Sequence, residues 1–165
     1  MKTGAILIVA AFLMVGCVTP PQTSRELREG VMAGRMMTKM DHKDVNRPVS
    51  EVFQDVKKNA DQCFNVRVTG STPGTYGPQT QSSTYRSRSR MTGKTKGEMV
   101  MQMEARASGK MPEGGYFVLL ADMEETSANK TRVTVYGSSV GYGDVFQAIF
   151  EWAHGKDRAC PSWMR

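Results

Sequence analysis

The sequence predicts an α+β protein: a two-layer sandwich in which an antiparallel sheet of four to five strands carries an N-terminal and a C-terminal helix on one face. Three observations predict it. Apolar residues recur at helical spacing between Pro48 and Asp61, period-two segments follow one another from residue 84 to 136, and a second broad apolar helical face closes the chain at 145–153. Turn-rich stretches separate the period-two segments, so the strands are expected to form a meander.

Ser24 to Glu29 starts a short helix that Gly30 and Gly34 limit. Residues 35–45 contain an edge strand with Met36, Met37 and Met40. Pro48 suits a first helical turn, where its missing N–H costs nothing, and Val49, Val52, Phe53, Val56 and Ala60 then fall on one face. A strand is expected from Cys63 to Thr69, with Phe64, Val66 and Val68 on one side. Residues 71–83 are rich in Ser, Thr, Gly, Pro and Gln and read as a long polar loop with Tyr76 in its middle; such loops are functional or unstructured.

In the segment from Thr84 to Thr92, Tyr85, Ser87, Ser89 and Met91 alternate with Arg86, Arg88 and Arg90. Met99, Met101, Met103, Ala105 and Ala107 alternate with polar residues in the next, the pattern of a half-buried antiparallel strand. Tyr116 to Ala121 is continuously apolar and is expected to be central, with a turn over 124–129. The last strand, 130–136, points Val133 and Val135 inward. Asp144 is placed to cap a helix whose apolar face comprises Val145, Phe146, Ile149, Phe150, Trp152 and Ala153, ended by His154-Gly155.

The N-terminus has a different character. Lys2 precedes an unbroken apolar run from Ala5 to Gly16, the charge pattern and length of a secretory signal and too short for a membrane span. Met14-Val15-Gly16-Cys17 resembles the lipobox of bacterial lipoproteins. The resemblance implies cleavage after Gly16 and acylation of Cys17, and Val18 in place of an aspartate points to the inner leaflet of the outer membrane, facing the periplasm. Residues 1–16 are then a cleaved signal, 17–35 a lipidated cysteine and tether, and 36–165 a single periplasmic domain. The element order over residues 36–162 is similar to helix-grip and related α/β sandwiches of small periplasmic lipoproteins. Trp152, Gly155, Cys160 and Pro161 also resemble a stretch of uncharacterised lipoproteins.

With Cys17 lipidated, the other two of the three cysteines, Cys63 and Cys160, form an even remainder. An oxidising compartment then suggests a disulfide between them, worth about 4 kcal/mol in the chain-entropy model. Two free thiols or a metal pair are the alternatives, and the latter lacks further ligands at short spacing.

The chain carries a net charge of +6, with Arg86, Arg88, Arg90, Lys94 and Lys96 clustered in sequence. A basic cluster attracts phosphate, but in the envelope the polyanions are lipid headgroups and polysaccharide, so no nucleic acid is expected as partner. The plainer reading is a solvated strand face. His42 and His154 have no ligand partners at motif spacing, the glycines of 137–143 lack the lysine ending of a phosphate loop, and no nucleophile motif occurs. No enzyme activity and no cofactor are expected. The expectation is a lipid-anchored protein that binds another envelope protein in envelope assembly or integrity, through Tyr76, Arg86, Arg88 and Arg90. The alternative is a carrier of lipid or another apolar ligand in a groove formed by Met99, Met101, Met103, Phe146 and Phe150, residues that otherwise read as core.

Overall fold

In the computed structural model, the helices are α1 (Ser24–Met32), α2 (Val49–Cys63) and α3 (Gly143–Ala153). The strands are β1 (Thr38–Val45), β2 (Arg67–Gly74), β3 (Gly77–Met91), β4 (Lys96–Ala105), β5 (Tyr116–Ser127) and β6 (Lys130–Ser138). The structure describes residues 20–35, 37–74, 77–105, 111 and 113–164, and for 71–74 and 77–79 the backbone. The strands form one sheet in the order β1-β6-β5-β4-β3-β2, antiparallel throughout. The α+β architecture matches the sequence expectation; the strand count and the helix placement do not. The sheet has six strands, and helices cover both of its faces.

One face carries the large core. Val52, Phe53, Val56 and Ala60 of α2 and Val145, Phe146, Ile149 and Trp152 of α3 pack on Met99, Met101, Leu119, Ala121, Val133 and Val135 from the sheet. The helical spacing of the first two sets and the alternation of the third place them on one side of their elements. Gly97 admits the Phe53 ring: a Cβ there would stand 2.7 Å from Phe53 Cδ2. Arg47, just before α2, donates to Ala153 O at 3.1 Å and pairs with Asp55 at 2.8 Å, joining the start of α2 to the end of α3. At the exposed edge, Lys39 and Lys43 of β1 lie over the Phe146 and Phe150 rings at 4.6 and 5.0 Å, and charged residues of this kind discourage edge-to-edge pairing.

Cys63 and Cys160 are disulfide-bonded, with Cα atoms 5.2 Å apart. Cys63 ends α2 instead of opening a strand, because Phe64 closes the helix, its N–H donating to Ala60 O at 2.8 Å. The Phe64 ring is then buried against Trp152, ring centroids 5.4 Å apart. Asn65 follows, donating to Asp61 O at 2.8 Å and accepting from Ser87 N at 2.9 Å, which delays the strand to Arg67. Pro48 occupies the N-cap of α2, one position before its first helical residue. Asp144 does not cap α3, whose N-cap is Tyr142. It accepts instead from Arg158 and, at 3.3 Å, from Ser162 N, holding the C-terminal segment against the helix.

The opposite face carries α1. Thr23 caps this helix by accepting from Glu26 N at 3.1 Å, and Leu27 and Val31, one helical turn apart, pack on Val100, Leu120 and Tyr136 with Phe117 beside them. The stretch read as tether therefore contains, from Pro21 onward, structure that packs on the sheet. Pro21 O itself accepts from Phe117 N at 3.0 Å.

The long polar loop expected over residues 71–83 is absent. β2 and β3 pair there as a hairpin, from Arg67↔Thr84 to Gly74↔Gly77. β4 runs alongside β3 only as far as Ser83↔Ala105, so the six rungs from Thr69↔Ser82 outward have no third strand among the described residues. They form a two-stranded arm about 20 Å long at ~3.4 Å per residue.

Candidate interaction surface

The α1 face of the sheet is the chemically distinctive one. Alternation along β3 sends Arg86, Arg88 and Arg90 to this face, while Tyr85 and Ser87 face α2 and the C-terminal segment. Across β4 the same alternation brings Glu98, Val100, Gln102 and Glu104 to the α1 side. Arg86 pairs with Glu104 at 3.6 Å, and Arg90 with Glu98 at 3.0 Å. Arg90 and Glu98 face each other directly across the antiparallel strands, and Arg86 reaches Glu104 on the diagonal.

α1 adds a cation to this face. Arg28 donates to both Asp122 oxygens, at 2.9 and 2.8 Å, and to Glu98 at 3.2 Å. The hydrogen bond to Asp122 raises the Arg28 pKa and outweighs the opposing effect of burial, so the guanidinium is charged throughout. Glu98, only 8% exposed, thus sits between two arginines that supply partners for its carboxylate oxygens. Arg28 and Asp122 were not legible as partners in the sequence. The only available signal was the position of Arg28 beside Leu27 and Val31, which places it on the border of the helix's apolar stripe.

Between the start of α1 and strands β3 and β4 lies a cleft of about 340 Å³, lined by Thr23, Ser24, Arg88, Arg90, Gln102 and Phe117 among others. Gln102 is 3% exposed and donates to Gly115 O at 3.2 Å, which fixes the turn before β5. That turn needs glycine: Gly115 has φ +88, and a Cβ there would lie 2.3 Å from Met103 O. Arg88 extends to the same turn, its Nη2 3.4 Å from where a Cβ on Gly114 would stand. Among the described residues, Arg88 has no ion-pair partner, unlike Arg86 and Arg90 on either side.

The other expected site residues are distributed differently. Tyr76 and Cys17 lie outside the described residues. Met99, Met101, Phe146 and Phe150 are core residues, 0 to 3% exposed, and Met103 is half-buried near the start of β5. A small apolar hollow of about 210 Å³ lies elsewhere, on the α1 face, between Pro20, Pro21, Leu27, Val31, Phe117 and Tyr142. It is smaller than pockets that enclose a whole ligand. His42 is exposed on β1, and His154 Nδ1 lies 2.7 Å from Phe150 O at the end of α3. No group of three metal-ligating side chains occurs among the described residues.

Fold and surface together define an α+β protein with a helix-covered antiparallel sheet and an arginine-bearing outer face. No protein-family model matches the chain, and no curated protein matches it. A solved structure, protein Ms6760 from Mycobacterium smegmatis, is similar over 73% of this chain and 87% of its own, with 11% identity and a TM-score of 0.32. A similarity of that order carries no argument about function.

Proposed function

We propose that this protein is a non-enzymatic lipoprotein, anchored through Cys17 to the inner leaflet of the outer membrane, and that it binds another envelope protein through the β2–β3 arm. The anchor rests on the signal-like N-terminus and the lipobox resemblance. The binding role rests on one observation: six rungs of paired backbone stand outside the sheet with free edges among the described residues. A two-stranded ribbon is marginally stable alone in water, and its unpaired N–H and C=O groups are a template for a partner's strand. The arm's composition of Ser, Thr, Gln, Gly and Pro suits a contact element better than a structural one.

The test is photocrosslinking from Thr80 and Tyr76 in the full-length protein within its native envelope. A reproducible protein adduct that disappears when residues 71–83 are replaced by a short turn is the expected result. Self-adducts or random products alone would overturn the binding role. Consistent copurification of lipid with the purified protein, with no protein adduct, would move the function to the apolar hollow beside Pro21 and Phe117.

A further inference from the structure

The structure shortens the tether. Read from sequence, a polar segment from Val18 to Ser24 separates the anchor from the domain, but the hydrogen bond from Phe117 N to Pro21 O at 3.0 Å fastens the chain to the sheet at Pro21. Four residue-to-residue steps lead from Cys17 to Pro21, and at ~3.6 Å each they reach no more than about 14 Å. For an acylated chain, the point of attachment therefore lies close to the bilayer surface.

The register identifies what else lies at that level. Phe117 pairs with Gln102, Gln102 with Arg86, and four residues beyond Arg86 the arm begins at Ser82↔Thr69. Arg88 reaches the Gly114 turn, immediately before β5, and lines the cleft with Ser24 and Phe117. The tether and the base of the arm thus share one end of the sheet, and the Arg88 side chain extends toward that end from mid-strand, where Arg88 faces Val100. The β5–β6 turn at Asn129 marks the other end. Charges near the cleft leave Arg88 as the surplus: Arg86 is offset by Glu104, and Arg28 and Arg90 by Asp122 and Glu98.

We infer that this end of the sheet lies against the bilayer, with Arg88 contacting the phosphate of an anionic lipid headgroup. The inference rests on the lipoprotein reading, because without an acyl chain on Cys17 nothing holds this end near a membrane. The headgroup supplies the oxyanion that a planar guanidinium binds through paired hydrogen bonds. The arm then extends into the layer next to the membrane, where a membrane-embedded partner is within its reach.

The test uses the full-length protein, its Cys17 modification read first by intact mass, in vesicles of phosphatidylcholine with a quarter phosphatidylglycerol. Photoreactive residues replace Ser139 and Asn129, exposed positions beyond the two ends of β6, and Ser24 in the cleft. Lipid adducts at Ser139 well above those at Asn129 are expected; equal yields on an acylated protein would overturn the orientation while leaving the lipoprotein reading intact. An unmodified Cys17 would remove that reading and the inference with it. At Ser24, adducts should favour phosphatidylglycerol, and Arg88→Gln should lower that preference about fivefold, the effect of one basic residue at an anionic surface. An unchanged preference, with the thermal midpoint also unchanged, would overturn the role of Arg88.

Discussion

The two faces of the sheet are built on different physics. The α2 and α3 face is sealed by apolar side chains: Trp152, Phe146, Met99, Met101 and Leu119 are buried to 2% exposure or less, and a disulfide joins α2 to the C-terminal segment. The α1 face has a small apolar cluster around Leu27 and Val31 and is otherwise held by ion pairs among Arg28, Asp122, Glu98 and Arg90. Burying a Leu or Val contributes about 1.5–3 kcal/mol, so α1 is held by two such anchors and one arginine, while α2 and α3 each have more. The large core carries the stability of the fold, and the outer face is left free to carry charge and contact.

Mutations on each side test this division. Trp152→Ala empties a fully buried site in the large core and should cost about 3–5 kcal/mol in denaturant unfolding. Replacing Cys63 and Cys160 with serine should cost about 2–4 kcal/mol, and reduction of the unaltered protein should raise its intact mass by two hydrogen atoms. Arg28→Ala should cost about 1.5–3 kcal/mol, confined to the outer face. Amide exchange should speed up over residues 24–33 and stay unchanged in α2; equal loss in both helices would mean that the two faces unfold as one unit.

The pH response sharpens the comparison. Burial raises the Tyr142 pKa above the ordinary tyrosine value, so the folded state keeps its phenol proton where the unfolded chain has begun to lose it. The stabilisation is complete below the unfolded tyrosine pKa of about 10 and declines as pH rises above it. Tyr142→Phe should flatten that alkaline decline in stability, measured between pH 9 and 11. Asp44, exposed on the α1 side, is held below the usual carboxylate range chiefly by the hydrogen bond from Arg132. Its contribution is present above the unfolded carboxylate pKa and is lost as pH falls through the lower folded value, an effect that Arg132→Ala should remove from acid unfolding curves. Arg88→Ala, on the outer face and without an ion-pair partner among the described residues, should change stability by less than about 0.5 kcal/mol.

The same contrast explains what was legible in the sequence. Met99, Met101 and the β6 valines announced strands because apolar residues alternate with more polar ones along them, although Glu98, Val100 and Gln102 on the other side of β4 are buried as well. The arm gave no such signal. Residues 71–74 and 77–83 pair as β-strand, but from Ser82 outward no third strand lies beside the ribbon among the described residues, so no period-two contrast in polarity is required there. Polar residues with Gly and Pro then look like a loop. Phe64 misled in the opposite sense: apolar alternation with Val66 and Val68 resembled a strand, whereas Phe64 closes α2 and fills a gap under Trp152. Of the candidate site, the arginine row of β3 was visible as alternation, and the Arg90–Glu98 pair followed from antiparallel register, whereas Arg86 faces Gln102 and meets Glu104 on the diagonal. Arg28 was not visible, because its partners Asp122 and Glu98 are 94 and 70 residues away.

By itself the sequence determined the α+β class, the strands of the meander from residue 84 onward, the two core helices and the pair of cysteines, because each leaves a local trace in spacing or parity. Only the tertiary structure decided that α1 takes the second face, that Pro21 is fastened to Phe117, and that Arg88 is left as the surplus cation in a cleft. Periodicity reports that a face is buried but is blind to which side of the sheet receives it, and charge neutrality is settled by neighbours that only folding brings together.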